Sequence, residues 1–100
     1  DYSKSNGTGV IDFTMHWNFE NASSAFGTAL GEDPYFNDST WNVTYVDSHD
    51  YAPNSCQYVR YNYGTQAWAE HMDLMFTFRG IPCIYYGSEI EFQKGQKIDD

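Results

Sequence analysis

Side chains that could do chemistry stand at three points of the chain, each shortly after an apolar stretch. His16 follows the first stretch, Asp47-Ser48-His49-Asp50 follows the second, and Glu89 follows the third. A carboxylate beside an imidazole can transfer protons or stabilise positive charge during a reaction. The same residue types are also common as caps and polar loop residues, so the pattern alone leaves a structural role open.

Alternating strands and helices are predicted to position these polar residues. Apolar, β-branched and aromatic runs predict strands near 9–14, 41–46 and 81–86. Helical spacing and capping residues predict helices near 21–30 and 65–79. This order indicates a parallel sheet with right-handed crossovers, so the polar residues would lie at the carboxyl ends of its strands. Sites in α/β folds are built at that edge, and the pattern favours a barrel over an open sheet.

Expected burial differs among these elements. The helix near 65–79 is predicted to face the core with Trp68, Met72, Met75 and Phe76. On the same helix, His71 is expected to be exposed. The segment 81–86 is apolar at nearly every position, which is typical of a parallel strand covered on both faces.

Two segments carry a resemblance to a known enzyme family. Tyr45-Val46-Asp47-Ser48-His49-Asp50 is similar to the end of the seventh barrel strand in the α-amylase family (glycoside hydrolase family 13), commonly Val-Asp-Asn-His-Asp, with Ser48 in place of the usual Asn. Residues 79–89 resemble that family's eighth strand, a Gly-x-Pro-x-x-Tyr-Tyr-Gly-x-Glu pattern. Gly9 to Phe13 falls where the sixth strand should be. The resemblance implies that residues 1–100 form part of one catalytic domain, covering the sixth to eighth strands of a TIM (β/α)8 barrel.

The resemblance also implies roles for individual residues. Retaining hydrolysis of a glycosidic bond uses one carboxylate as nucleophile and one as general acid, through an oxocarbenium-like transition state. In the α-amylase family a third carboxylate stabilises that transition state; by position it is Asp50 here, and His49 would hydrogen-bond the same sugar. The family's nucleophile and acid follow the fourth and fifth strands and would precede Asp1. The further residues expected to bind substrate are Glu89, Tyr51, His16 and Trp17.

The implied activity is that of a retaining hydrolase that cleaves α-1,4-glucosidic bonds in starch-type α-glucans. A transglycosylase of the same family, such as a cyclodextrin-forming enzyme, is one alternative, because the subsites that separate the two lie mostly outside this chain. The other alternative is a non-catalytic fragment with weak sugar binding, since the chain carries one of the three carboxylates. The expected partners are starch or maltooligosaccharides, together with the remainder of the barrel or further copies of the chain.

Composition and charge favour a carbohydrate ligand over nucleic acid. Fourteen acidic residues against five basic ones give a formal net charge of −9, and no Lys/Arg cluster exists to neutralise phosphates. Aromatic residues make up 19% of the chain, and their flat faces can stack on sugars. No apolar run is long enough to cross a membrane, so no membrane partner is expected.

Secretion is expected from a second aspect of the resemblance. Arg79-Gly80-Ile81-Pro82 and Ser88-Glu89-Ile90-Glu91-Phe92 are similar to segments of extracellular bacterial amylases. The chain starts at Asp1 without a Met or a signal peptide, as a processed or excised piece would. Cys56 and Cys83 are either two free thiols or one bridge. No cofactor is expected within the chain, and the calcium ligands usual in the family would precede Asp1.

Overall fold

The structure is a computed structural model that describes residues 9–48 and 65–90. Its helices are α1 (Phe13–Asn18), α2 (Ala22–Glu32) and α3 (Thr65–Thr77), and its paired strands are β1 (Val43–Thr44) and β2 (Ile81–Pro82). Short 3₁₀ turns occupy Asp33–Tyr35, Ser39–Trp41 and Ser88–Ile90.

Parallel pairing brings three chain segments side by side. β1 pairs with β2 in the register Val43↔Ile81 and Thr44↔Pro82, and Ile11 forms a single parallel bridge with Val43. Backbone N–H groups of Val43, Ile81 and Cys83 donate across these junctions at 2.8 Å. Described helices lie in both connections, α1 and α2 before β1 and α3 before β2. The pairing is parallel, as the alternation of strands and helices predicts.

Of the strand predicted near 9–14, the structure has only the single bridge at Ile11, and the second half of the predicted strand is helical. Phe13 begins α1, because Asp12 caps that helix: its Oδ1 accepts a hydrogen bond from the backbone N–H of Met15 at 3.0 Å. The strand predicted near 41–46 is likewise shorter, since Trp41 belongs to a 3₁₀ turn capped by Asp38. At Asp12 and at Asp38, the hydrogen bond between the capping side chain and the backbone therefore favours a helical turn over the strand that β propensity predicts.

The described part of the chain does not supply the predicted two-sided cover of segment 81–86. Strand pairing is limited to Ile81–Pro82, and Ile81, Ile84 and Tyr86 are 53%, 45% and 55% exposed. An apolar sequence shows that a strand is suited to burial, but the burial itself depends on neighbouring elements that pack against the strand. Among the described residues, β2 has β1 as its sole paired strand.

The core lies between α1, α2 and α3 on one side of the sheet. Its buried members are Met15, Phe19, Ala25, Val46, Met72 and Met75, with Trp68 partly buried against them. Two predictions for α3 are wrong: Phe76 is 50% exposed, and His71 is buried at 8% exposure. The buried face of α3 therefore passes through positions 68, 71, 72 and 75, and His71 lies against Glu20, with whose backbone it forms a hydrogen bond.

A largely buried network of ion pairs and hydrogen bonds joins the residues that precede β1 and β2 to Asp12 and Asp33. Arg79, which precedes β2, donates from Nη1 to Oδ2 of Asp12 at 2.5 Å and from Nε to both carboxylate oxygens of Asp33 at 3.0 and 3.1 Å. Asn42, which precedes β1, donates to the same Oδ2 of Asp12 at 3.4 Å. Burial lowers the pKa of Arg79, but its hydrogen bonds to Asp33 and Asp12 outweigh that effect and raise it overall.

The glycine after α3 permits a close approach between the helix end and β1. Gly80 has φ +112°, and a Cβ placed on it would lie 2.7 Å from Cγ2 of Thr44 and 2.8 Å from the carbonyl oxygen of Asn42. Only glycine meets both requirements without strain. None of the helices in the described ranges has the length and apolar character needed to span a bilayer.

Candidate functional site

A cavity opens where the parallel segments end. Its volume is about 260 Å³, and it is lined by Ile11, Phe13, Val43, Tyr45, Asp47, Ser48, Cys83, Ile84, Tyr85 and Tyr86. Most of these positions are odd-numbered because alternate side chains of a strand share one face of a sheet. The cavity therefore lies on the sheet face that carries these odd-numbered side chains, and its lining combines aromatic rings with the carboxylate of Asp47 and the hydroxyls of Ser48 and the tyrosines.

Asp47 is the buried carboxylate of this site. Its side chain is 5% exposed, and its Oδ1 accepts a hydrogen bond from the backbone N–H of Ser48 at 3.1 Å. Its Oδ2 accepts a hydrogen bond from the hydroxyl of Ser88 at 3.2 Å, and Ser88 is itself 3% exposed. A single side chain thus connects the segment after β1 to the segment after β2.

A turn at Gly87 makes that connection geometrically feasible. Three further extended residues beyond Tyr85 would carry the chain about 10 Å past the end of the ladder. Gly87 instead has φ +85°, and the N–H of Ser88 donates back to the carbonyl of Tyr85 at 3.0 Å. The turn returns Ser88 to Asp47, and Tyr85 and Tyr86 are left at the cavity with ring centroids 4.6 Å apart.

His16 supports the cavity wall from behind. Its ring stacks on Tyr45, with centroids 4.3 Å apart and an interplanar angle of 11°, and Nδ1 lies 3.3 Å from the carbonyl oxygen of Tyr45. A carbonyl can only accept, so Nδ1 carries the proton. Desolvation by burial lowers the pKa of His16 to about 4, so the ring is neutral near pH 7.

This placement does not fit the sugar contact predicted for His16. The side chain has no exposed surface and does not line the cavity. Trp17, the other predicted contact on α1, is 38% exposed, and the centroid of its ring lies 4.9 Å from the centroid of the His16 ring. Residues on α1 therefore contact the site through Tyr45 and through Phe13, whose ring meets Tyr45 edge-on at 6.1 Å.

The remaining predicted site residues divide into two groups. Glu89 is exposed in the 3₁₀ turn Ser88–Ile90, next to Ser88 in sequence and outside the cavity lining. His49, Asp50 and Tyr51 lie outside the described residues, immediately after Ser48. The structure thus defines the position from which the chain enters the His49-Asp50 segment.

Sequence reasoning does not single out several of the lining residues. Tyr45, Tyr85 and Tyr86 are predicted as strand residues of the two segments that resemble the family, without a role in a site, and nothing in the sequence pairs Asp47 with Ser88. The odd-numbered alternation in the strands is the signal that could have placed Tyr45, Asp47 and Tyr85 on one face. No pattern identifies the Ser88 contact, because it depends on the turn at Gly87.

Possible metal ligands and thiols are the remaining reactive groups near the site. In residues 9–48 and 65–90, no three His, Cys, Asp or Glu side chains gather as a metal ion would require. Cys83 is an exposed free thiol at the cavity, and Cys56 lies outside the described ranges.

Comparison of the chain with protein-family models, with curated proteins and with solved structures finds no significant match.

Proposed function

We propose that this chain is part of a retaining α-glucan hydrolase that cleaves α-1,4-glucosidic bonds in starch-type polymers. The chain would supply the sixth to eighth strands of a TIM (β/α)8 barrel. The observation that carries the proposal is the contact between the two segments that resemble the α-amylase family. Asp47 in the first segment and Ser88 in the second are joined by a hydrogen bond at the carboxyl end of a parallel pair.

The cavity beside that contact suits a neutral sugar. Phe13, Tyr45, Tyr85 and Tyr86 provide ring faces and edges that can pack against the C–H groups of a pyranose. The carboxylate of Asp47 is already engaged by Ser48 and Ser88, so it serves to hold the wall in place. Contacts to sugar hydroxyls are proposed for His49, Tyr51 and Glu89, which are close in sequence to the residues that line the cavity.

In the proposed mechanism, Asp50 stabilises the positive charge that develops on the anomeric carbon and ring oxygen. His49 hydrogen-bonds hydroxyls of the same sugar, and these bonds strengthen as the ring distorts toward the transition state. As the resemblance implies, the attacking carboxylate and the proton-donating carboxylic acid would come from the ends of the fourth and fifth strands of the proposed barrel. Hydrolysis proceeds through a covalent glycosyl-enzyme intermediate, so the anomeric configuration is retained.

Product analysis of the full-length protein on soluble starch tests this proposal. We expect linear maltooligosaccharides with rising reducing ends and, by proton NMR of the first products, the α-anomer. Cyclic products or transfer to an added acceptor sugar would indicate the transglycosylase instead. A protein that neither releases nor transfers sugar contradicts the enzymatic proposal.

The resemblance to extracellular bacterial amylases supports the further proposal that the full-length protein is secreted. Fractionation of a producing culture should recover most starch hydrolysis from the medium. Activity retained inside intact cells would contradict secretion and leave the enzymatic proposal unaffected.

A further inference from the structure

We infer that Asp47 and Ser88 form a positioning clamp that fixes the chain entering the His49-Asp50 segment. The inference rests on the proposed function and adds to it two residues with a role of their own. The clamp consists of the Ser88 hydroxyl donating to Oδ2 of Asp47 at 3.2 Å and the Ser48 backbone N–H donating to Oδ1 at 3.1 Å.

Burial makes the clamp rigid and costly to break. Asp47 and Ser88 are 5% and 3% exposed, so water cannot readily replace a lost partner. A buried carboxylate that loses one of its donors keeps its desolvation cost, which biases the pair strongly toward the closed contact. Tyr45 and Val46, which directly precede Asp47, are also buried, at 7% and 1% exposure, and anchor the same stretch of backbone.

The clamp restricts Ser48, the residue that directly precedes the segment proposed for the chemistry. Ser48 takes part in the clamp through its own N–H and is bonded directly to His49, so the direction of the backbone at residue 48 is set by Asp47. Ser88 is fixed in turn by its own N–H donating to Tyr85 and by the left-handed Gly87. The ends of two neighbouring strands are thereby locked together next to the cavity.

Catalysis is sensitive to small displacements of this segment. A shift of about 1 Å in a catalytic group can cost about 100-fold in rate even when the altered residue is remote from the chemistry. We therefore assign to Asp47 and Ser88 an effect on kcat through Asp50, with neither side chain touching the substrate. A purely structural role would lower the melting temperature and leave kcat of the folded enzyme unchanged.

The test is a double-mutant cycle in the full-length protein on soluble starch, measuring kcat and KM separately. Asp47→Ala should lower kcat by about 10–100-fold with KM changed less than about threefold. Ser88→Ala should lower kcat by a smaller factor, and the double variant should be no worse than Asp47→Ala alone, because Asp47→Ala already removes the acceptor of the Ser88 hydroxyl. Asp47→Asn keeps an acceptor oxygen for the Ser48 N–H and should recover most of the activity.

Control variants separate the clamp from general damage. Asp38 is an exposed cap that bonds Thr40 at 3.0 and 2.6 Å, so Asp38→Ala should lower stability locally and leave kcat within about twofold. Amide hydrogen exchange should show faster exchange in residues 46–50 of Ser88→Ala and not of Asp38→Ala.

Three outcomes bear on the inference. If the wild-type enzyme is active and Asp47→Ala keeps the same kcat, the positioning role is contradicted and the proposed function is not. Losses that multiply in the double variant contradict the shared contact. A wild-type protein without starch hydrolysis contradicts the proposed function and the positioning role with it, whereas the exchange experiment then decides whether the contact itself exists.

Discussion

At the scale of single residues, His16 is a polar side chain that packs inside the fold. Its imidazole is fully buried, stacks on Tyr45 and has a pKa lowered to about 4 by desolvation. The sequence places it just after an apolar stretch, which is a suitable position for a ligand contact. The difference arises from Asp12, whose cap starts α1 early and turns His16 into the core.

The lowered pKa of His16 predicts a specific loss of stability in mild acid. Because the unfolded state binds the proton near pH 6.5 and the folded state near pH 4, the unfolded state carries more protons between these values. Stability should therefore fall as pH decreases through about 6.5 and level off below about 4. Between about pH 7.5 and pH 5 the contribution is about 2 kcal/mol.

A comparison with His16→Phe isolates that contribution. Phenylalanine keeps the stack on Tyr45 and removes the titrating group, and carboxylates elsewhere affect both proteins equally. The thermal midpoint of the full-length wild type should drop more than that of His16→Phe over the same pH interval. Identical drops would show that His16 does not titrate in this window.

At the scale of elements, Gly80 allows the chain after α3 to pass close to β1. Gly80→Ala should lower the free energy of unfolding by about 2–4 kcal/mol, because φ +112° disfavours any Cβ and the new methyl would press on Thr44 and Asn42. Gly27→Ala, in the middle of α2, would place its methyl with no atom within 4 Å and should instead raise stability by up to about 1 kcal/mol. Urea unfolding of both variants measures the contrast, and equal effects would contradict the close approach at Gly80.

The elements also show how much of the fold follows from sequence. The helix near 21–30 and the helix near 65–79 correspond to Ala22–Glu32 and Thr65–Thr77, since spacing and caps are local signals. Strand lengths and burial at 81–86 do not follow, because they depend on which neighbours cover a strand. In the site, adjacency along the chain draws attention to Asp47–Asp50, whereas the bond to Ser88 requires the fold.

At the scale of the whole molecule, the described residues leave apolar side chains of the paired segments exposed. Ile11, Ile81 and Ile84 are 59%, 53% and 45% exposed on the segments that line the cavity and continue from β2. Apolar surface and open strand edges of this kind favour association. We predict that the isolated 100-residue chain forms oligomers or pairs with the remainder of the proposed enzyme, and that it hydrolyses no starch.

Light scattering on the purified chain tests the association. Ile84→Lys should shift the chain toward monomer, whereas Leu30→Lys, on α2 and 83% exposed, should leave the oligomer unchanged. A well-folded wild-type monomer contradicts the prediction. An effect of Leu30→Lys alone would place the contact on the helical layer.

The central claim is that the chain belongs to a glycosidase whose transition state Asp50 stabilises, and kcat of Asp50→Asn in the full-length protein tests it most directly. This change keeps the shape of the side chain and removes its charge, so kcat on soluble starch should fall by about a thousandfold, on the order of 4 kcal/mol, with a smaller change in substrate binding. His49→Ala should cost less, about 1–3 kcal/mol in kcat/KM, and Asp38→Asn, at an exposed cap, should retain full activity. An Asp50→Asn enzyme that keeps a tenth of the wild-type kcat would contradict the account.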